Sequence, residues 1–361
     1  MDVLLSITTS FLIAFSAMPI VIRVFRSLNL LDNPDRRKVH SVSTPSLGGI
    51  AIYVAAMVSL LFWVPIAELA EYKFFLLAIF FAFLLGVRDD ISSLQALDKL
   101  TIQVFAALLV VFVADIKFTG LYGILGLTSL PTGIAEFLSI FVIVGLTNAF
   151  NLIDGLDGLA GSVACIILGI FSWWFFAAGF STLGFISLSL GAAVFAFLFY
   201  NWAPAKIFMG DTGSLVLGFT ISVLMIQFIE LNYVMVSTAK LHLTAPVAMA
   251  VALLILPVYD TFRVFTIRFM AGRSPMSPDK NHVHHILLKL GFGHAACTLI
   301  LVGFNLSLVA VAWFLQPFGN NWLSVIILAL AVSFGVFLDY RLKKKISAIS
   351  GKRSKKTLAT S

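Results

Sequence analysis

Apolar residues run through this chain in long blocks separated by short polar stretches, and block length decides what they are. A helix crossing bilayer hydrocarbon takes about 20 residues at about 1.5 Å of rise each. About eleven blocks meet that need, some of them short or tilted: 3–25, 47–65, 73–88, 101–115, 135–150, 158–178, 182–200, 213–230, 244–266, 296–315 and 321–340. No tandem repeat or low-complexity linker divides them, so 1–340 reads as one integral membrane domain of the all-α class. Residues 341–361 read as a basic, disordered cytoplasmic tail. The first block follows Met1 and Asp2 with no basic n-region and no small-residue cleavage site, which fits a retained first helix rather than a removed signal peptide.

Composition agrees with the blocks. Hydrophobic residues make up 60% of the chain and charged residues 11%, with a mean hydropathy of +1.04. Soluble globular chains run near 45–50% apolar and about 25% charged. The 35 Phe sit largely in uncharged runs that lipid can cover and a soluble core of this size cannot. Cys165 and Cys297 lie inside apolar stretches and form neither a disulfide framework nor a metal-ligand spacing.

The net charge of +7 raises the question of a nucleic-acid partner, but the basic residues flank apolar blocks or fall in the tail at Lys343, Lys344, Lys345, Lys352, Arg353, Lys355 and Lys356. That placement suits anionic lipid and orientation signals, so no nucleic acid is expected. If the loops alternate sides, one side takes 26–46, 89–100, 151–157, 201–212, 267–295 and the tail. With its flanking helix ends it then holds all of the 24 Lys and Arg except Lys73, Lys117 and Lys240. The positive-inside rule makes that side cytoplasmic, with the N-terminus outside and the C-terminus in the cytoplasm.

The same side carries five polar segments in a chain otherwise almost free of charge. They are Asn33 to His40 followed by Pro45 to Gly49; Arg88-Asp89-Asp90 with Lys99 beyond; Asn148 to Gly158; Phe208 to Ser214; and Ser274 to His285. Asp89 and Asp90 repel each other in a partly desolvated site unless a cation or base neutralises them, so they are candidates for cation binding or general-base work. Asn148, Asn151, Asp154 and, one position off, Asp157 recur at helix-like intervals, placing amides and acids near one surface. Asp211 lies between Gly210 and Gly213 just before a span that Thr212 and Ser214 can cap, where free N–H groups favour a phosphate.

A carboxylate beside a phosphate calls for a bridging metal, and Mg²⁺ held by one or two carboxylates plus phosphate oxygens is the usual arrangement. His282, His284 and His285 lack the cysteine partners that many structural zinc sites use. Beside Arg268, Arg273 and Lys280 they read as hydrogen-bond donors to phosphate or sugar oxygens. Each segment alone has a plain structural explanation: a solvated helix end, an Asp-Gly turn, an N-cap or an exposed loop. Five on one membrane face imply a shared site.

These residues resemble the polyprenyl-phosphate N-acetylhexosamine-1-phosphate transferase superfamily (glycosyltransferase family 4), from about Leu31 to Gly291, with all five motifs in order. The resemblance implies transfer of a sugar-1-phosphate from a UDP-sugar to undecaprenyl phosphate, releasing UMP, as the first membrane step of a cell-envelope glycan. Cell wall and lipopolysaccharide O-antigen biosynthesis in a bacterial inner membrane are the expected settings. It implies catalysis by Asp89 or Asp90, either through Asp89 as base for direct attack or through a phospho-enzyme on Asp90. It implies Asp211 and Asp154 as Mg²⁺ ligands, with Mn²⁺ as the alternative ion. Lys99, Asn148, Asn151, Asp157, Arg273, Lys280, His282, His284 and His285 would bind nucleotide sugar and phosphate.

The pattern His282-Val283-His284-His285 is similar to that of the UDP-GlcNAc-type members, which makes UDP-GlcNAc the expected donor. The phospho-MurNAc-pentapeptide transferases are the nearest alternative; they usually carry three consecutive histidines and ten helices. An ion-coupled transporter is the rival of another class, but such proteins place acids near the midplane and show repeat symmetry. A second copy of the chain is kept as a candidate partner.

Overall fold

The computed structural model describes residues 1–28, 31–32, 44–235, 241–272 and 282–358, and most of them are helical. The first half comprises α1 (Asp2–Ser27), α2 (Gly48–Trp63), α3 (Ile66–Glu71), α4 (Lys73–Ile91), α5 (Ala96–Leu108) and α6 (Thr132–Ile153). The second half comprises α7 (Leu159–Ala177), α8 (Ser181–Asn201), α9 (Gly210–Val234), α10 (Pro246–Met270), α11 (Val283–Leu290), α12 (His294–Phe314) and α13 (Gly319–Leu358). Between α1 and α2, β1 (Leu31–Asp32) and β2 (Thr44–Pro45) form a two-residue antiparallel ladder that pairs Leu31 with Pro45 and Asp32 with Thr44.

Every expected apolar block is occupied by a helix, and the chain is an all-α polytopic membrane protein. Among the described residues, nine helices are long and apolar enough to cross a membrane. Two expected blocks fall outside that set for physical reasons. α2 has only 16 residues, and α4 ends in Arg88, Asp89 and Asp90.

The tail departs from expectation. Residues after 340 were expected to lack structure, yet α13 continues unbroken to Leu358. Lysine, arginine and alanine in this stretch are good helix formers. Lys345 also ties the extension to α11 by donating to the carbonyls of Lys289 at 3.1 Å and Leu290 at 2.8 Å.

α9 lies at the centre, buried along most of its length and packed by α2, α4, α6, α7 and α10. Small residues allow this approach, as membrane helices require when no hydrophobic driving force acts between them. A methyl group at Gly86 of α4 would overlap the Thr212 backbone, and one at Gly49 of α2 would overlap Gly213. These two contacts bring the polar ends of α2 and α4 onto the first turn of α9.

Candidate active site

The chain entering α9 is held by a backbone zipper. Phe208 N–H donates to Pro45 O at 2.8 Å, Gly48 N–H to Phe208 O at 3.0 Å, and Gly49 N–H to Met209 O at 2.9 Å. Gly210 then opens α9 with φ +73°, a left-handed conformation that glycine adopts freely. The cap comes from another helix. Asp90 of α4 accepts the Asp211 N–H at 2.8 Å on one carboxylate oxygen, and on the other the Thr212 N–H at 2.9 Å and hydroxyl at 2.6 Å. Thr212 and Ser214 were expected to cap α9 themselves. Instead Thr212 donates to Asp90, and the Ser214 hydroxyl donates back to Gly210 O at 2.9 Å.

The Asp211 side chain is where the segments meet. Asn151 of α6 donates its amide to one carboxylate oxygen at 2.6 Å, and Lys99 of α5 donates to the other at 3.2 Å. The same Asn151 amide reaches the Ser214 hydroxyl at 2.8 Å. Lys99 also forms an ion pair with Asp89. Asp89 is only 4% exposed and accepts the Leu94 N–H at 2.7 Å. Lys99 therefore stands between Asp89 and Asp211, partly open to solvent and within reach of an incoming anion.

The third segment divides. Helix-like spacing treats 148–157 as continuous, but α6 stops at Ile153 and the chain turns through Gly155 and Gly158, the latter at φ +76°. Asn148 donates to Gln103 of α5 at 2.6 Å and does not join Asp211. Asp157 turns away as well, accepting the Ala205 N–H at 3.2 Å and pairing with His294 Nδ1 at 3.3 Å. Asp154 stays with the acids. Burial, and then repulsion from Asp211, Asp90 and Asp157, push its carboxyl up to about 7.

The imidazoles join from the other side. His282 Nδ1 meets a carboxylate oxygen of Asp260 in α10 at 2.7 Å, and the Val283 N–H donates to the other at 2.8 Å. His284 is buried and lies against Gly155, where an added Cβ would stand 3.3 Å from its Nε2. Burial first, and then the charges of neighbouring histidines, push His284 down to about 3, so it is neutral at ordinary pH. His285 packs on it with ring centroids 4.3 Å apart. These contacts limit what the three imidazoles can donate to a phosphate or sugar oxygen. His282 Nδ1 is committed to Asp260, and neutral His284 has a single N–H to give. Arg273, Lys280 and the Asn33 to His40 stretch lie outside the described residues.

Three positions that hold the site's framework were missed in the sequence. Asp260 was detectable as a carboxylate inside an apolar span, which is costly unless paired. His294 received no role, yet it is the partner of Asp157. Asn201 at the end of α8 accepts the Gly158 N–H at 2.9 Å and donates to Ile207 O at 2.9 Å, fixing both turns; a single amide gives no sequence signal of that kind.

The charge balance suits a divalent cation. Asp154 carries the strain of three neighbouring acids, which a positive ion would relieve. Among the described residues, no three His, Cys, Asp or Glu side chains are grouped to hold a metal by themselves. That fits Mg²⁺, which takes one or two carboxylates and completes its shell with water and substrate oxygens, better than an ion that needs a full protein cage.

Comparison with known proteins identifies the family. The sequence model of glycosyl transferase family 4 matches residues 72–229, a stretch that includes Asp89, Lys99, Asn151 and Asp211. A probable undecaprenyl-phosphate N-acetylglucosaminyl 1-phosphate transferase of Bacillus subtilis (strain 168) is 32% identical over 92% of this chain and 90% of its own length. The undecaprenyl-phosphate alpha-N-acetylglucosaminyl 1-phosphate transferases of Escherichia coli (strain K12) and Salmonella typhi are 26% and 28% identical, each over 86% of this chain and 83% of the relative.

Proposed function

The chain belongs to glycosyl transferase family 4 and is an enzyme, and from that premise we propose that it transfers N-acetylhexosamine-1-phosphate from a UDP-sugar to undecaprenyl phosphate, releasing UMP. GlcNAc-1-phosphate is the group we assign first, because the relatives named above are N-acetylglucosaminyl 1-phosphate transferases. The reaction would be the first membrane step of a bacterial cell-envelope glycan, such as an O-antigen or cell-wall polymer. We place the site at the cytoplasmic face, with eleven spans, counting α2 and α4, and the N-terminus outside. The lysine and arginine asymmetry supports that orientation.

The observation that carries the reading is Asp211, on which Asn151, Lys99 and the Asp90-capped helix end converge. Joining two anions requires screening and alignment more than covalent help, and those effects supply most of the catalysis in phosphoryl transfer. Asp211 and Asp154 would hold Mg²⁺, which when bound screens the diphosphate and polarises the phosphoryl group under attack. Lys99 would take a phosphate oxygen as its hold on Asp89 and Asp211 loosens. Asn151 orients Asp211, and the imidazoles on α11 border the sugar-phosphate side.

An oxygen of the acceptor phosphate attacks the β-phosphorus of the donor, and the bond from that phosphorus to the bridging oxygen breaks, so UMP leaves with that oxygen. Direct attack is the form we favour, with Asp89 as base once Lys99 has moved. Both oxygens of Asp90 are occupied by the first turn of α9 and present no free nucleophile. The test is to incubate the purified protein with undecaprenyl phosphate, Mg²⁺ and each radiolabelled UDP-N-acetylhexosamine in turn, including UDP-MurNAc-pentapeptide. We expect labelled lipid from UDP-GlcNAc and none after chelation with EDTA. Labelled lipid from UDP-MurNAc-pentapeptide alone would replace this reading.

A further inference from the structure

The helix that carries the imidazoles also borders a groove that takes no part in the site above. α11, α12 and α13 enclose about 620 Å³, within the range of about 300–1,000 Å³ usual for small-molecule sites. The floor is apolar, made by Leu287 and Leu290 of α11, Ile300 of α12, and Phe334 and Leu338 of α13. One end is cationic, lined by Arg341, Lys344 and Lys345, and among the described residues no acidic side chain lines the groove. Lys345 is occupied by the carbonyls at the end of α11. Arg341 and Lys344 are exposed, with Arg341 lying 5.8 Å from the Phe337 ring centroid.

An oily trough with two cations at its membrane-surface end matches a molecule that has a hydrocarbon chain and a negatively charged head. A free phosphate would leave the floor empty, and a zwitterionic lipid would bring its own cation to the mouth. The undecaprenyl phosphate proposed as acceptor shares this chemistry, but none of Asp89, Asp90, Lys99, Asn151 or Asp211 lines the groove. We propose that the groove between α11, α12 and α13 holds one anionic phospholipid of the surrounding membrane, with an acyl chain along Leu290, Ile300 and Leu338 and its phosphate between Arg341 and Lys344. The lipid bridges α13 and α11, adding to the Lys345 clamp, and so steadies the helix on which His282, His284 and His285 stand.

Full-length protein is placed in nanodiscs of phosphatidylcholine with or without phosphatidylglycerol, extracted gently, and its retained lipid counted by native mass spectrometry. The wild type is expected to keep one phosphatidylglycerol. The double variant Arg341→Gln/Lys344→Gln removes both cations from exposed positions and is expected to cut retention about tenfold or more. Ile300→Trp fills the floor while leaving both cations, and is expected to lose the lipid as well. Equal retention in all three proteins overturns the proposal. So does displacement of phosphatidylglycerol by undecaprenyl phosphate, which would make the groove the acceptor's. The readout is binding, so it stands or falls separately from the transferase assignment.

Discussion

Asp90 accepts the backbone N–H of Asp211 at 2.8 Å, so an acid at the end of α4 sets the position of the acid that opens α9. The two carboxylates have different tasks. Asp90 is spent on N–H and hydroxyl groups of the α9 first turn, while Asp211 points its oxygens at Asn151 and Lys99. Among the adjacent pair, Asp89 is the one held by a lysine that can move away.

Asp90→Asn should therefore damage catalysis through geometry. The amide turns one acceptor into a donor that faces either the Asp211 N–H or the Thr212 N–H and hydroxyl. Turnover is expected to fall roughly 10²–10³-fold, the scale of losing one preorganised donor or acceptor. Thr212→Val should cost less, about 1 kcal/mol of stability for one hydrogen bond. Steady-state kinetics and thermal melts in detergent check both. Wild-type turnover in Asp90→Asn would remove this role.

Much of this was legible in the sequence because membrane burial is unforgiving. Apolar block lengths located the helices, and acids and amides at block ends marked one face. The assignment of Asp89, Asp154 and Asp211 to one neighbourhood followed from that. The cap on α9 was not legible, since Asp90 and Thr212 are joined only when Gly86 and Gly49 let three backbones touch. Asp157 leaves the helical spacing because α6 ends at Ile153, where glycines turn the chain, whereas Asn148 lies within α6 and its amide is taken up by Gln103. The α13 extension was hidden by its charge, which resembles a solvated tail until Lys345 meets the end of α11.

Acidity at Asp154 gives a pH prediction. Its folded carboxyl sits at about 7, raised from 3.8, so between those values the native state binds more protons than the unfolded chain. Metal-free stability from this group should thus fall as pH rises through the window. Mg²⁺ needs the carboxylate, so the Mg²⁺-induced rise in thermal midpoint should grow as pH passes about 7. Asp154→Asn should flatten both trends. A Mg²⁺ shift that ignores pH in the wild type would argue that Asp154 is not a ligand.

Asp260→Ala removes the partner of His282 Nδ1 and of the Val283 N–H together. Each orphaned buried group costs about 1–3 kcal/mol. The melting temperature should drop, and transfer should weaken even at temperatures where the variant stays folded, because α11 loses its anchor to α10. Unchanged stability and turnover would show that the pair is dispensable.

Gly86→Ala tests the approach of α4 to α9. The added methyl overlaps the Thr212 backbone, and overpacking of this kind costs about 1–3 kcal/mol. Activity should fall with stability, since Asp90 is drawn off the first turn of α9. Gly133→Ala, where a Cβ meets nothing within 4 Å, is the control and should be silent. Thermal melts and initial rates on both variants decide it.

The most direct measurement follows the phosphorus. UDP-GlcNAc radiolabelled in its β-phosphate is mixed with undecaprenyl phosphate, Mg²⁺ and a slight excess of enzyme, and the products are separated after a single turnover. The label should pass into the lipid, with unlabelled UMP released in equal amount and no transfer by Asp211→Asn. Label leaving as UDP or inorganic phosphate, or undiminished transfer by Asp211→Asn, would contradict a sugar-phosphate transfer organised on that carboxylate.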